Sequence, residues 1–183
     1  MVKLLAIACV AVLVRAEVVD RLAIAVGRQT ITELQLDEEL RVTAFLNNQP
    51  ISRTQDAKRA AADRLVEQLL IEREMDLSRY PGPDEVEFKS YIARVQSTYG
   101  TPSRFRNLLR QYDLSESVLD EHLKRQLAIL RFIEYRFRSG VLSSAKDSNL
   151  QPSIDGQTDE ALAAWLEESR KQVDIVYVDK SLQ

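Results

Sequence analysis

The chain has 183 residues, 45% hydrophobic and 29% charged, with 5 Gly, 5 Pro and a net charge of -3, the composition of one globular domain with a real core rather than a disordered or fibrous chain. One Cys and one His leave a zinc ribbon, an iron–sulfur site, a Cys/His nucleophile pair and a disulfide framework short of parts. The acidic balance also argues against a general nucleic-acid binder, which needs a basic stripe.

Residues 1–16 differ in kind from the rest: Lys3 precedes the apolar run Leu4 to Val14, and Val14-Arg15-Ala16 places small or aliphatic residues at −3 and −1. This reads as a secretory signal peptide cleaved after Ala16. The run is short for a bilayer core of about 30 Å, which needs about 20 residues. A membrane anchor, a buried N-terminal helix or strand, and a lipoprotein signal at Cys9 are the alternatives. Cleavage leaves 23 basic against 28 acidic residues and no Cys, which suits an oxidising compartment. The expected localisation is export to the periplasm or cell envelope.

Leu22-Ala23-Ile24-Ala25-Val26 reads as a buried strand followed by a turn at Gly27-Arg28. Thr32 and Gln35 have capping-box spacing, so a helix is expected to start there, carry Leu36, Leu40, Thr43, Ala44 and Leu46 inward, and fray at Asn47-Asn48-Gln49-Pro50. Ser52 with Gln55 repeats the spacing and predicts a second helix from about Arg53 to Leu77, with Ala61, Leu65, Val66, Leu69 and Leu70 on its apolar stripe. Tyr80-Pro81-Gly82-Pro83 ends it. Asp84 caps a third helix, whose Phe88, Tyr91, Ile92, Val95 and Tyr99 share one face. Gly100 closes it, and Thr101-Pro102 opens a short helix holding Phe105, Leu108, Leu109 and Tyr112. Ser115 then caps the longest apolar helix, with Val118, Leu119, Leu123, Leu127, Leu130 and Ile133 inward and Ile129, Phe132 and Phe137 widening its apolar surface.

Residues 143–158 turn to Ser, Asn, Gln, Asp, Pro and Gly without periodicity and read as a linker or long loop. A helix with Ala161, Leu162, Trp165 and Leu166 inward follows, then a strand at Val173 to Val178. The expected architecture is mainly α: a helical domain over 17–142, the linker at 143–158, and a C-terminal helix and strand at 159–183 that complete the same domain. Its terminal strands are expected to pair, because neither is stable alone.

The order of a short strand, a Gly turn, an Ile-Thr start to a helix, a Tyr-Gly-Thr-Pro-Ser-Arg-Phe segment and a long helix rich in Leu and Arg resembles the N-terminal chaperone domain of SurA-type periplasmic folding factors and related parvulin-linked foldases. Ala23 to Leu36 and Tyr99 to Phe137 carry the resemblance. Family members commonly place one or two parvulin prolyl-isomerase domains between the long helix and the closing segment. This chain has only residues 143–158 there, so the resemblance implies the polypeptide-binding part without the enzyme, and no catalytic residue carries over.

Several side chains allow a bland and a sharp reading. His122 lacks a ligand partner at Gln126, one turn on, and reads as an exposed or half-buried helix histidine. Glu38-Glu39, Glu72 with Glu74, and Glu167-Glu168 read as solvated charge rather than catalytic carboxylate pairs. Eight basic residues between Arg104 and Arg138 face five acids, which reads as solvated helix faces, or else as a surface for an anionic client or membrane. Tyr91, Tyr99, Phe105, Tyr112, Ile129, Phe132 and Phe137 are core residues or the lining of an apolar crevice for extended chain. From these features the expected function is an exported, ATP-independent holder of unfolded or outer-membrane-bound polypeptides, with no cofactor, no metal and no nucleic-acid partner. A foldase subunit working beside a separate isomerase, and a structural homodimer module, are the alternatives.

Overall fold

The computed structural model describes residues 20–138 and 151–183, the side chains of 151–154 excepted. The expected signal peptide, Cys9 and the cleavage site after Ala16 lie outside the described residues. In chain order the elements are β1 (Leu22–Val26), β2 (Gln29–Thr32), α1 (Glu33–Leu46), α2 (Gln55–Ser78), α3 (Glu85–Thr98), α4 (Pro102–Gln111) and α5 (Glu116–Ile133). A π-helical turn (Glu134–Arg138), α6 (Gln151–Lys171), β3 (Ile175–Tyr177) and a 3-10 turn (Lys180–Leu182) follow. The expected class, mainly helical with a small β element, is the one observed.

The terminal strands do pair. β1 runs antiparallel to β3 through Ile24 with Tyr177, Ala25 with Val176 and Val26 with Ile175. The sequence announces no third strand: it assigns Gln29 to Ile31 no element and Thr32 only a cap, whereas in the structure Gln29–Thr32 pairs with the other side of β1, giving the order β2-β1-β3. Four residues with only Ile31 buried carry too little alternation to announce a strand. What makes them one is the hairpin turn at Gly27, whose φ of 57° is open to glycine and costly for other residues. The Gly27 amide also donates to the Asp174 carbonyl at 2.8 Å, tying the turn to the approach of β3.

Local signals place most helix ends. Thr32 and Gln35 form the expected capping box, with the Gln35 amide donating to Thr32 Oγ1 and the Thr32 amide to Gln35 Oε1. Asp84, Thr101 and Ser115 cap α3, α4 and α5 as expected. One cap moves: Thr54, not Ser52, accepts from the Ala57 amide. Gln55, which would have completed a box with Ser52, instead donates from its side chain to the Gln183 carbonyl. Arg79, left-handed at φ 53°, ends α2, and the Tyr80 and Arg79 amides return to the carbonyls of Met75 and Asp76.

The core has two clusters. One joins Ala23, Ile24, Val26 and Ile31 of the sheet to Leu36 and Leu40 of α1, Ala61, Ala62, Val66 and Leu70 of α2, and Leu182. The other joins Val42 and Phe45 of α1 to Phe105, Leu109, Leu114, Leu119 and Leu123. Helix α1 therefore buries two sides, because at 3.6 residues per turn Leu36 and Leu40 point away from Val42 and Phe45. Val42 and Phe45 were not among the residues expected inward. Conversely Leu130, expected inward, is 46% exposed, although it shares the helix face of the buried Leu119, Leu123 and Leu127.

The expected linker at 143–158 needs correction. Its residues 143–150 lie outside the described residues, but α6 already begins at Gln151. Pro152 is tolerated because it falls in the first turn, where its missing N–H had no partner in the helix. Gly156 costs about 1 kcal/mol of helix propensity. Tertiary packing outweighs that: Thr158 is buried, Leu166 packs on the sheet cluster, and Trp165 lies 5.9 Å from the Phe137 ring.

Candidate functional site

The residues proposed from sequence to line a crevice fall into two groups. Four gather around Phe45. Tyr99 stacks on it with centroids 4.7 Å apart, and Phe105 and Tyr112 meet it edge-on at 6.1 and 5.6 Å. Tyr91 packs against the same cluster and donates its hydroxyl to Gln126 Oε1 at 3.2 Å. Burial raises the hydroxyl pKa of both Tyr91 and Tyr99 above the ordinary tyrosine value. The Tyr112 hydroxyl donates to the Gln49 carbonyl, fixing the loop after α1.

Ile129, Phe132 and Phe137 lie apart from these, toward the end of α5 and on the π-helical turn. Phe132 is 1% exposed and meets Tyr80 edge-on at 5.4 Å, while Phe137 packs on Trp165 beneath the Arg136 guanidinium. Ile129 is half-buried. Phe105 and Phe132 are thus buried by the protein's own side chains. The aromatic spacing along each helix was legible in the sequence, but the partners Phe45, Tyr80 and Trp165 come from other elements.

The acidic and basic residues are also more organised than solvated faces. Glu39, expected in solvent, is 5% exposed between α1, α2 and α5. Its Oε1 accepts from Arg64 Nε at 2.7 Å and from Thr43 Oγ1 at 3.1 Å, and its Oε2 lies 3.6 Å from His122 Nδ1. A buried carboxylate persists only when it is paired and hydrogen-bonded, and Arg64 supplies both. Burial lowers the His122 pKa below its ordinary value, Glu39 works against that, and Arg125 and Arg64 add to the lowering. The sequence could not join these three groups, since they stand on three helices.

Elsewhere the basic residues of α5 and the π-helical turn bridge outward: Arg125 to Glu72, Arg131 to Glu87 and Glu134, Arg136 to Glu74, and Arg138 to Asp155. Glu72 and Glu74, read as solvated, are therefore half-buried partners in cross-helix ion pairs. Glu167 and Glu168 remain exposed beside Lys171. On α6, Arg170 reaches Glu67 at 3.0 Å and Asp63 at 3.4 Å, clamping α6 to α2.

An open cleft of about 450 Å³ lies beside the β1–β2 turn, where the C-terminal half of α2 meets the approach to β3. Its walls include Val26, Leu69, Leu70, Leu77 and Val173, with Arg28, Arg73, Asp76 and Asp174 at its polar margins. Leu77 is 69% exposed. The cleft has no counterpart in the sequence reading, because its residues come from three separate stretches. Leu69 and Leu70 are on the apolar stripe read for α2 and Leu77 is its expected end, but nothing in the sequence joins them to Val173.

Among the described residues no helix is long and apolar enough to cross a membrane, and no group of three or more His, Cys, Asp and Glu is placed to hold a metal ion. No protein-family model matches the chain, and no curated protein matches it.

Proposed function

We propose that this protein is an exported, ATP-independent, chaperone-like module that holds unfolded or outer-membrane-bound polypeptides and catalyses no covalent change. The observation that carries the reading is the cleft beside the β1–β2 turn, whose accessible apolar wall is formed by Leu69, Leu77 and Val173. Removing apolar surface from water is worth about 25 cal/mol per Å² and is non-directional. Such a cleft accepts an aliphatic or aromatic side chain from many different sequences, which is what a holding protein requires. Its volume of about 450 Å³ suits one or two side chains and not a folded partner.

The SurA-type resemblance at Ala23 to Leu36 and Tyr99 to Phe137 supports the same reading, and Lys3, the run Leu4 to Val14 and Val14-Arg15-Ala16 support export. Isomerase activity is not expected. The barrier to rotation about a peptide bond is about 18–20 kcal/mol, and lowering it takes a shaped pocket that residues 143–150, ahead of α6, are too few to build. The holding surface is assigned to the cleft and not to Phe105 or Phe132, which the protein's own core already covers.

The experiment is suppression of aggregation of a chemically unfolded protein by the purified chain, compared with Leu77→Asp and Leu69→Asp. Leu77 is so exposed that its substitution leaves the fold intact, which circular dichroism checks. The expected outcome is suppression at near-stoichiometric amounts, lost in Leu77→Asp. Undiminished suppression by Leu77→Asp would remove the cleft from the proposal, and turnover of a proline peptide by the wild type would refute the absence of catalysis.

A further inference from the structure

Helix α4 carries three arginines and no acid in ten residues, within a chain whose acids outnumber its bases. Phe105 and Leu109 bury one side of it, while Arg104, Arg106 and Arg110 stay exposed. Most arginines of α5 and the π-helical turn are neutralised across helices, yet Arg104, Arg106 and Arg110 have no carboxylate within ion-pair distance among the described residues. Arg110 donates to the Asn107 side chain, one turn back on its own helix.

Arg106 and Arg110 are not scattered. Together with Ser103 and Asn107 they form one wall of a groove of about 370 Å³, floored by Leu109 and Leu114 and bounded on the α5 side by Glu116. Residues four apart on a helix are displaced by about 6 Å along its axis. In an extended strand, side chains on the same face recur every two residues, at about 6.6–6.8 Å. The axial spacing of Arg106 and Arg110 is therefore close to that of two carboxylates at i and i+2 of an extended chain, each able to accept a bidentate pair of N–H bonds.

We infer that the groove between α4 and the start of α5 docks an extended acidic polypeptide segment, with Arg106 and Arg110 holding carboxylates in an acid-x-acid pattern. The surface is distinct from the apolar cleft, and its test does not depend on holding activity. A flat anionic membrane is the less suitable partner. The apolar side of α4 is already buried in the core and has no face left to insert into a bilayer, and the arginines line a recess and not a flat face. Glu116 is the one groove residue that opposes the ligand, so it sets a sign: removing its charge strengthens binding.

The test is fluorescence anisotropy of a labelled ten-residue peptide with glutamates at alternate positions in a Ser/Thr background, titrated with the full chain at low salt. Controls are a peptide with the same glutamates contiguous and one with glutamines. The alternating peptide is expected to bind severalfold more tightly than the contiguous one and to weaken as salt screens the charges. Binding should fall about tenfold or more in Arg106→Gln/Arg110→Gln, rise in Glu116→Gln and stay unchanged in Arg21→Gln/Lys180→Gln, which removes the same charge at exposed positions outside both the groove and the cleft. Equal binding of the alternating and contiguous peptides would overturn the inference, as would equal losses in the two double variants. It would equally fall if the Arg106/Arg110 variant lost binding to phosphatidylglycerol vesicles while peptide binding was unaltered.

Discussion

Replacing Glu39 by Gln tests the centre of the molecule, because it removes a charge and keeps the shape. The carboxylate is 5% exposed and is held by Arg64 at 2.7 Å and Thr43 at 3.1 Å. Breaking a buried ion pair costs about 3–5 kcal/mol when the stranded partner stays dry. Here the Arg64 side chain is 39% exposed and keeps contact with water, so the loss should be smaller, about 1–3 kcal/mol. Urea unfolding at pH 7.5, followed by circular dichroism, measures it. The His122 partner adds a pH signature. Its pKa is lowered on folding, so the folded state binds fewer protons than the unfolded chain near that pKa. Stability is then full above the ordinary value of 6.5 and falls as pH drops below it toward the folded value. Glu39 raises that pKa and so limits the fall. In Glu39→Gln the loss below pH 6.5 should deepen, and in His122→Gln it should flatten. A Glu39→Gln protein within about 0.5 kcal/mol of wild type, or an acid slope unchanged in His122→Gln, would refute this account of the cluster.

Asp120 presents the opposite sign. Burial first, then Glu116, raises its carboxyl pKa, with Lys124 opposing, and its Oδ1 is buried without a hydrogen-bond partner. That pKa shift takes stability away as pH rises above the ordinary carboxylate range, so Asp120→Asn should stabilise the protein at pH 7 by roughly 0.5 kcal/mol after solvent screening, read as a raised melting temperature; a lowered one would count against it. Gly27→Ala should cost about 1–2 kcal/mol, because φ is +57° and the new Cβ would sit 3.2 Å from Val173 Cγ1; denaturant midpoints measure the loss. Deleting residues 172–183 removes β3 and Leu182 from the first core cluster and should lower the melting temperature by more than about 10 °C. An unchanged melting point would sink the pairing of the terminal strands.

Most of the helices are legible in the sequence because their signals are local. Thr32 with Gln35, Asp84, Thr101-Pro102 and Ser115 each satisfy orphan amides within a few residues, so neighbours in sequence suffice to find them. The apolar stripe of α2 and the face of α3 follow from the helical period in the same way. The errors occur where a local rule permits two answers. Either Ser52 or Thr54 could have capped α2. Four residues at 29–32 could have been turn or strand, and a Pro- and Gly-containing stretch could have been a linker, as read, or the first turns of α6.

Composition and periodicity by themselves determined the helical class, the strand at each end and the positions of most caps, since each depends on backbone chemistry within one or two turns. Only the tertiary structure decided what each side chain meets. It placed Phe45 under the aromatic residues of α3 and α4, buried Glu39 against Arg64 and His122, and left Leu77 open beside Val173. These arrangements join residues far apart in the chain. Burial and electrostatic pairing act through distance in space, and periodicity along one helix carries no information about the side chains that another helix brings against it.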